Sequence, residues 1–299
     1  MKFMKLPPFE YACPTSISEA VELLASNNGE AKPLAGGQSL VPMLAFRVSA
    51  PTLLVDLRKL SELRQIKVVG NAVTLGAMVR WRDILEHPEL SKVHPLLVEA
   101  IGHIAHYQIR NRGTVGGSLA HADPAAELPG IAVTCEAKIA VLGKAGERVI
   151  EAADFFRGPL TTALNPDEII TEIRFPAWPQ QRRFGFREFT RRRGDFALAG
   201  AALFFDADGG GEVRNIHVGA IGIADRPLRL VTVERALDGV EFDDAAIAKA
   251  EAAASAAVEP CDDIHASGAY RKALIGVMVE RALRDAGKMS FVVARLRHQ

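Results

Sequence analysis

A chain of 299 residues is too long for one small hydrophobic core and suits two or three modest domains. Its 48% hydrophobic and 24% charged residues are the balance of a soluble globular protein. Lys+Arg and Asp+Glu both number 36, so the basic excess expected of a nucleic-acid binder is missing.

Residues 1–14 carry Lys2, Lys5, Pro7 and Pro8 and lack the apolar core of a secretory signal. Residues 16–28 read as a helix: Ser16 and Glu19 have capping-box spacing, Ile17, Ala20, Val21 and Leu24 recur on one face, and Gly29 stops it. A short strand at 32–35 breaks at Gly36-Gly37-Gln38-Ser39, a helix can start at 40–46, and 52–57 reads as the next strand. Segments 65–69 and 72–75 flank Gly70-Asn71, a hairpin signal. Helical patterns follow at 81–85 and 95–106, then a second glycine-rich stretch at 108–120. Segments 138–142 and 147–150 flank another turn, and 168–175 is a β-branched strand. Pro176, Pro179, Gln180 and Gln181 mark a domain boundary. Beyond it come three strands, 184–189, 196–205 and 213–221, then helices at 244–257 and 267–286. Strands followed by helices predict an α+β class. No run reaches the ~18 apolar residues of a membrane span, so the cytoplasm is the expected compartment.

Two stretches carry candidate chemistry. The first is Ala35-Gly36-Gly37-Gln38-Ser39. Glycines let a backbone turn sharply and approach a ligand without Cβ interference, and successive amides can then face an anion. No Lys follows the glycines, so this is not a Walker loop, and it lacks the three-glycine dinucleotide fingerprint; alone it also reads as a plain strand-to-helix turn. The second contains Arg110-Asn111-Arg112-Gly113-Thr114-Val115-Gly116-Gly117-Ser118, followed by the carboxylates Asp123 and Glu127. That mixture suits a ligand with phosphates and hydroxyls, and equally an ordinary loop with a helix cap at Asp123.

Taken together and in order, these stretches resemble the FAD-binding medium subunit of the molybdenum hydroxylases, a family that includes the carbon monoxide dehydrogenase medium subunit and the flavin domain of xanthine dehydrogenase. Asp123-Pro124, Pro166-Asp167-Glu168-Ile169-Ile170 and Arg191-Arg192-Arg193-Gly194-Asp195-Phe196-Ala197 extend the likeness over essentially the whole chain. The resemblance implies a two-part FAD-binding domain at 1–178, made of an N-terminal βα unit (1–57) and a middle α+β unit (58–178). A C-terminal domain at 179–299 follows, a three-stranded antiparallel sheet with helices. It implies non-covalent FAD held by Ala35, Gly36, Gly37, Gln38 and Ser39 on one side and Thr114, Gly116, Gly117 and Ser118 on the other. Asp123 would bond ribityl or ribose hydroxyls with Glu127 nearby, Ile170 would pack near the adenine side, and Phe196 would sit close to the isoalloxazine ring. Several relatives carry His in place of Gln38, Asn in place of Ser118 and Tyr in place of Phe196. The last change removes a hydroxyl from the flavin's surroundings. Some relatives carry a Lys ahead of Gly194-Asp195, where this chain reads Arg187-Glu188-Phe189-Thr190, so no lysine contact is assigned.

The implied function is electron transfer. The molybdenum cofactor and two [2Fe–2S] clusters would sit on partner subunits only, a large and a small one, in a dimer of heterotrimers. Electrons would pass through this chain's FAD to an external acceptor. The alternatives are a stand-alone flavin oxidase or reductase and an assembly protein with a vestigial flavin fold. The sequence offers neither a clear acid–base set for the former nor degraded glycines for the latter. Cys13, Cys135 and Cys261 are too few and too scattered for a cluster, which takes about four thiolates. His103 and His106 have the spacing of a metal pair but no evident third ligand. His121, inside the second glycine stretch, reads either as a flavin contact or, more readily, as a solvent-facing polar residue. The run Arg191 to Arg193 reads either as a partner or phosphate contact or as a solvated hairpin edge.

Overall fold

The computed structural model describes residues 6–207 and 209–296, with side chains through Lys288; Lys2 and Lys5 lie outside the described residues. The N-terminal unit is β1 (Glu10–Ala12), α1 (Ile17–Ala25), β2 (Ala31–Leu34), α2 (Leu40–Ala45) and β3 (Leu53–Asp56). Its three strands run parallel in the order β1-β3-β2. Ser16 caps α1 by accepting from the Glu19 amide at 3.2 Å. The Glu19 carboxylate, however, accepts from the Thr15 amide rather than closing the box on Ser16. Ala20, Val21 and Leu24 of α1 pack on Leu53 and Val55, and Met78 and Ile169 from the next unit complete this small core.

The middle unit begins with β4 (Ile66–Val69) and β5 (Ala72–Gly76), the hairpin expected around Gly70. Helices α3 (Trp81–Leu85), α4 (Leu90–Val93), α5 (Pro95–His103), α6 (Tyr107–Arg110), α7 (Val115–His121) and α8 (Glu127–Thr134) follow. The unit continues with β6 (Lys138–Gly143), β7 (Gly146–Glu151), α9 (Ala152–Phe155), the short pair β8 (Phe156–Gly158) and β9 (Thr161–Thr162), and β10 (Ile169–Phe175). Its main sheet has the order β4-β5-β10-β6-β7, all neighbours antiparallel. The helix expected to reach His106 ends at His103, because Ala105 takes a left-handed conformation with φ +43°. His103 and His106 therefore do not share one helix face.

The last unit is a sheet of four strands rather than the expected three: β11 (Arg183–Phe189), β12 (Ala199–Ala207), β13 (Val213–Ile221) and the two-residue β14 (Leu228–Arg229), all antiparallel. Helices α10 (Val231–Leu237), α11 (Asp244–Ala256) and α12 (Gly268–Leu296) cover one face. Ala201, Leu203 and Phe205 of β12 point into that helical core. The alternate residues Ala202 and Phe204 point the other way, into the middle unit's core with Phe184 and Phe186. Both faces of β12 are covered from Ala199 to Phe205, so its sequence is apolar over that stretch.

Trp178 bridges the two units. It is 4% exposed, with ring centroids 4.6 Å from His94 and 5.2 Å from Phe204. Arg182 lies 4.3 Å over the Phe204 ring and 5.1 Å from that of Trp178, while forking onto both carboxylate oxygens of Asp206 at 2.9 Å. His94 is held neutral: burial pushes its pKa down to about 3, which suits Nδ1 as acceptor for the Leu97 amide at the start of α5. Among the described residues no helix is long and apolar enough to cross a membrane.

Candidate functional site

The site forms where the N-terminal unit meets the middle unit. β2 delivers the first glycine turn at its C-terminal end, the end of a parallel sheet where ligands gather. Gly37 has φ +72°, a conformation open to glycine and strained for any side chain. Gln38 folds back, its Nε2 donating to the Gly36 carbonyl at 3.0 Å. The amides of Gly36, Gly37 and Gln38 donate to no backbone carbonyl among the described residues. The Ser39 hydroxyl is not spent on capping α2.

The second glycine stretch is partly helical. Thr114 caps α7, its hydroxyl accepting from the Gly117 amide at 3.2 Å. Val115 and Gly116 donate to the carbonyls of Val79 and Ala77, which stitches the start of α7 to the segment that follows β5. A Cβ on Gly116 would stand 2.6 Å from that of Ala77, so only glycine fits.

The two stretches touch backbone to backbone. A Cβ on Gly36 would lie 2.2 Å from the Arg112 carbonyl oxygen and 3.0 Å from Gly113 Cα. A Cβ on Gly117 would lie 2.8 Å from Thr114 Oγ1 and 3.7 Å from Ala35 Cβ. Residues 35–39, Gly117 and Ser118 stay half-exposed, so the junction is a rim that a ligand can reach. Asn111 Oδ1, in the same stretch, is buried without a hydrogen-bond partner. Free amides, an unspent hydroxyl and an orphaned polar atom around a glycine-only contact fit a phosphate-bearing, hydroxylated ligand such as FAD.

The remaining expected residues separate by burial. Asp123 is half-buried and its Oδ1 accepts from the Ala125 amide at 2.9 Å. It builds the turn ahead of α8, whose own N-cap is Ala126. Glu127, the first residue of α8, is 6% exposed. Burial, and after it the nearby charge of Glu188, pushes its carboxyl up to about 8. Ile170 is 4% exposed within the middle core, so it can support a ligand only from beneath. Phe196 is 60% exposed on the loop between β11 and β12. Arg191, Arg192 and Arg193 are exposed on that loop, which presses Gly194 (φ +88°) against the Ala105 backbone. His121 is half-buried rather than solvent-facing, and burial lowers its pKa against the opposing charge of Asp123. A shallow cleft of about 310 Å³ lined by Gly29, Lys32 and Pro51 lies at the other, N-terminal end of the parallel strands.

Sequence reasoning did not find Glu188. It is buried on β11 against His103, from which it is separated by 85 residues. The one acid in a strand whose other residues are Phe, Gly and Arg was the available signal.

A two-part cradle of this kind, joined to a sheet-and-helix unit, defines a flavoprotein of the molybdopterin-dehydrogenase class. Residues 7–178 match the family described as the FAD binding domain in molybdopterin dehydrogenase, and residues 184–286 match the CO dehydrogenase flavoprotein C-terminal domain. The chain is 38% identical to the 6-hydroxypseudooxynicotine dehydrogenase complex subunit alpha of Paenarthrobacter nicotinovorans, over 95% of this chain and 96% of that one. It is also 38% identical to the carbon monoxide dehydrogenase medium chain of Hydrogenophaga pseudoflava, over 94% and 97% respectively. Among solved structures it superimposes on carbon monoxide dehydrogenase from Hydrogenophaga pseudoflava with a TM-score of 0.92, covering 95% of this chain and 99% of that one at 38% identity. Quinoline 2-oxidoreductase from Pseudomonas putida 86 gives a TM-score of 0.90 at 35% identity with the same coverage. The chain belongs to the FAD-binding medium subunits of the molybdenum hydroxylase-type dehydrogenases and is an oxidoreductase subunit.

Proposed function

We propose that this chain carries electrons within a molybdenum hydroxylase complex and binds no organic substrate of its own. One observation carries the reading: two glycine turns from separate units meet at Gly36 and Arg112, with free amides on the same rim. The amides of Gly36, Gly37 and Gln38 and the hydroxyl of Ser39 would hold the FAD pyrophosphate from one side, beside Ala35. Thr114, Gly116, Gly117 and Ser118 would close the other side. Asp123 would accept from a ribityl or ribose hydroxyl, with Glu127 behind it. Ile170 would support the adenine side and Phe196 would shield the ring. In this reading residues 1–178 bind the cofactor and residues 179–299 cover it.

Bound FAD supplies the chemistry, because a flavin takes electrons singly and can release them in pairs. The protein's share is to orient it, exclude water and set its potential. Electrons would enter from [2Fe–2S] clusters on a small partner subunit, fed by a large subunit with the molybdenum cofactor. They would leave to an external acceptor. The relatives are named as medium chains or as a subunit of a dehydrogenase complex, which supports such an assembly. A dimer of heterotrimers working in the cytoplasm is the arrangement we infer.

Fluorescence titration of the apoprotein with FAD tests the site. Gly37→Val and Gly117→Val should each weaken binding severely, the first through strain at positive φ and the second by filling the cradle. Unchanged affinity in both would refute the assignment. Purification of a tagged chain from its own cells should bring down an iron–sulfur and a molybdenum subunit. An isolated, FAD-loaded chain that oxidises an organic substrate at full rate would overturn the subunit reading.

A further inference from the structure

Two carboxyl groups, Glu188 on β11 and Glu127 on α8, are buried where the C-terminal sheet packs on the middle unit. Glu188 on β11 is paired with Gly200 on β12, and Gly200 with Ile221 on β13. Glu188 and Ile221 close over the missing side chain: a Cβ on Gly200 would lie 3.2 Å from Glu188 Cβ and 2.8 Å from Ile221 Cγ1. Ile221 in turn meets α8, where a Cβ on Gly130 would lie 2.3 Å from Ile221 Cγ2. Gly130 stands one turn along from Glu127. The sheet face bearing Glu188 therefore packs against the start of α8.

The Glu188 side chain is 5% exposed. Its Oε1 lies 3.2 Å from His103 Nδ1, and its Oε2 is buried with no partner. Burial, and after it the charge of Glu188, raises the Glu127 carboxyl to about 8, so Glu127 holds its proton until the pH passes that value. His103 is 37% exposed and links Glu188 to solvent. Asp123 is the other charge acting on Glu127, and it adds to the proton affinity. Around His103 stand Glu99 of α5, Arg187 of β11 and Asp285 of α12, the last two paired with each other.

We propose that Glu127 and Glu188 form a redox-linked proton site beside the flavin, filled from solvent through His103. The proposal rests on the reading that residues 123–127 line the flavin. Two electrons delivered by a one-electron donor protein add negative charge next to the pair. Above about pH 8, where Glu127 is ionised, it answers by taking up one proton from water by way of His103 and Glu188, in addition to any proton the cofactor binds. No carbon bond forms or breaks. Removal of the electrons by the acceptor releases the same proton along the same path.

Redox potentiometry of the FAD-loaded chain across about pH 6 to 10 tests this, with flavin absorbance measured on every sample. Above about pH 8, the potential of the parent protein should fall more steeply than that of Glu127→Gln. The excess is about 30 mV per pH unit, the tenfold change per unit expected for one proton on a two-electron couple. Glu188→Gln should move the onset of that steeper region to lower pH. His103→Gln should keep the equilibrium slope but slow proton uptake, read with an indicator dye after rapid reduction. Parallel slopes for the parent, Glu127→Gln and Glu188→Gln, all with full flavin, would overturn the proton site while leaving the flavin reading intact. A parent protein that takes up no FAD would overturn the flavin reading, and this proposal with it.

Discussion

A single added methyl group at Gly36 is expected to open the proposed cofactor cradle without unfolding the protein. In Gly36→Ala the new carbon would sit 2.2 Å from the Arg112 carbonyl oxygen and 2.8 Å from its carbonyl carbon. Ordinary contacts between such atoms are about 3.5 Å, so the turns must part by roughly 1 Å. Neither neighbour is the tip of a flexible side chain. Arg112 is held from behind, since the Gly113 amide donates to Ile109 at 2.7 Å and Trp81 to the Gly113 carbonyl at 3.3 Å. Overpacking of this kind costs about 1–3 kcal/mol. If that cost is met by opening the site, FAD affinity falls about 5- to 150-fold. The assay is fluorescence titration of the apoprotein, paired with a thermal melt without FAD. Gly102→Ala is the control: it lies in α5 with open space around it and should leave affinity unchanged. An unchanged FAD affinity in Gly36→Ala, with an unchanged melt, would refute the claim that the two turns form one site.

Three further outcomes follow from the same geometry. Glu127 has its pKa raised from 4.5 to about 8, so the native state binds the proton more tightly than the unfolded chain. The stability this gives is full below about pH 4.5 and is lost as pH rises toward about 8, an upper bound of about 5 kcal/mol. Urea unfolding of apo Glu127→Gln should lack that decline. Asp123→Asn retains the turn to the Ala125 amide but removes the charge. It should weaken FAD binding by about 1–3 kcal/mol by titration while leaving the apoprotein melt unchanged. Trp178→Ala removes the ring between His94 and Phe204 and should cost about 3–5 kcal/mol in urea unfolding. Calorimetry should then show a separate transition for the C-terminal unit.

The parts of this fold that the sequence announced are those whose signals are local. Ser16 caps its helix, Gly70 and the Gly143–Gly146 turn close hairpins, and the apolar repeat of α1 faces a core. The elements it concealed are held by distant partners. β1 is three residues long and exists because β3 offers it a parallel edge. α7 contains Gly116 and Gly117, poor helix formers, and persists because Thr114 caps it and the carbonyls of Ala77 and Val79 anchor its first amides. β14 spans only Leu228–Arg229 and is fixed by β13 and by the Arg229 fork on Glu234. At the site, the glycine turns were legible because glycine is the one residue whose backbone freedom shows in the sequence. Glu188 was not, because its meaning depends on His103 and Glu127, which only the tertiary fold brings near.

The seam between the middle and C-terminal units is built at close range, and this bears on how Phe196, proposed to lie beside the ring, can be held. Gly194, two residues before Phe196, rests on the Ala105 backbone, where a Cβ would lie 3.0 Å from the carbonyl carbon. Gly222 donates its amide to the Pro124 carbonyl at 3.0 Å. Gly219 leaves room for Thr134, whose hydroxyl would lie 1.7 Å from a Cβ there. His217 Nδ1 meets the Thr134 carbonyl at 2.9 Å. The three middle-unit partners, Ala105, Pro124 and Thr134, stand before, within and at the end of the segment that carries Thr114, Ser118, Asp123 and Glu127. The C-terminal unit thus grips the proposed cofactor segment along its length. Backbone-to-backbone contact has no rotamers to relax into, so each grip defines a position to a fraction of an ångström. Any side chain at Gly194 or Gly219 would widen the seam. It would shift Phe196 away from the glycine turns while leaving every proposed cofactor contact chemically intact.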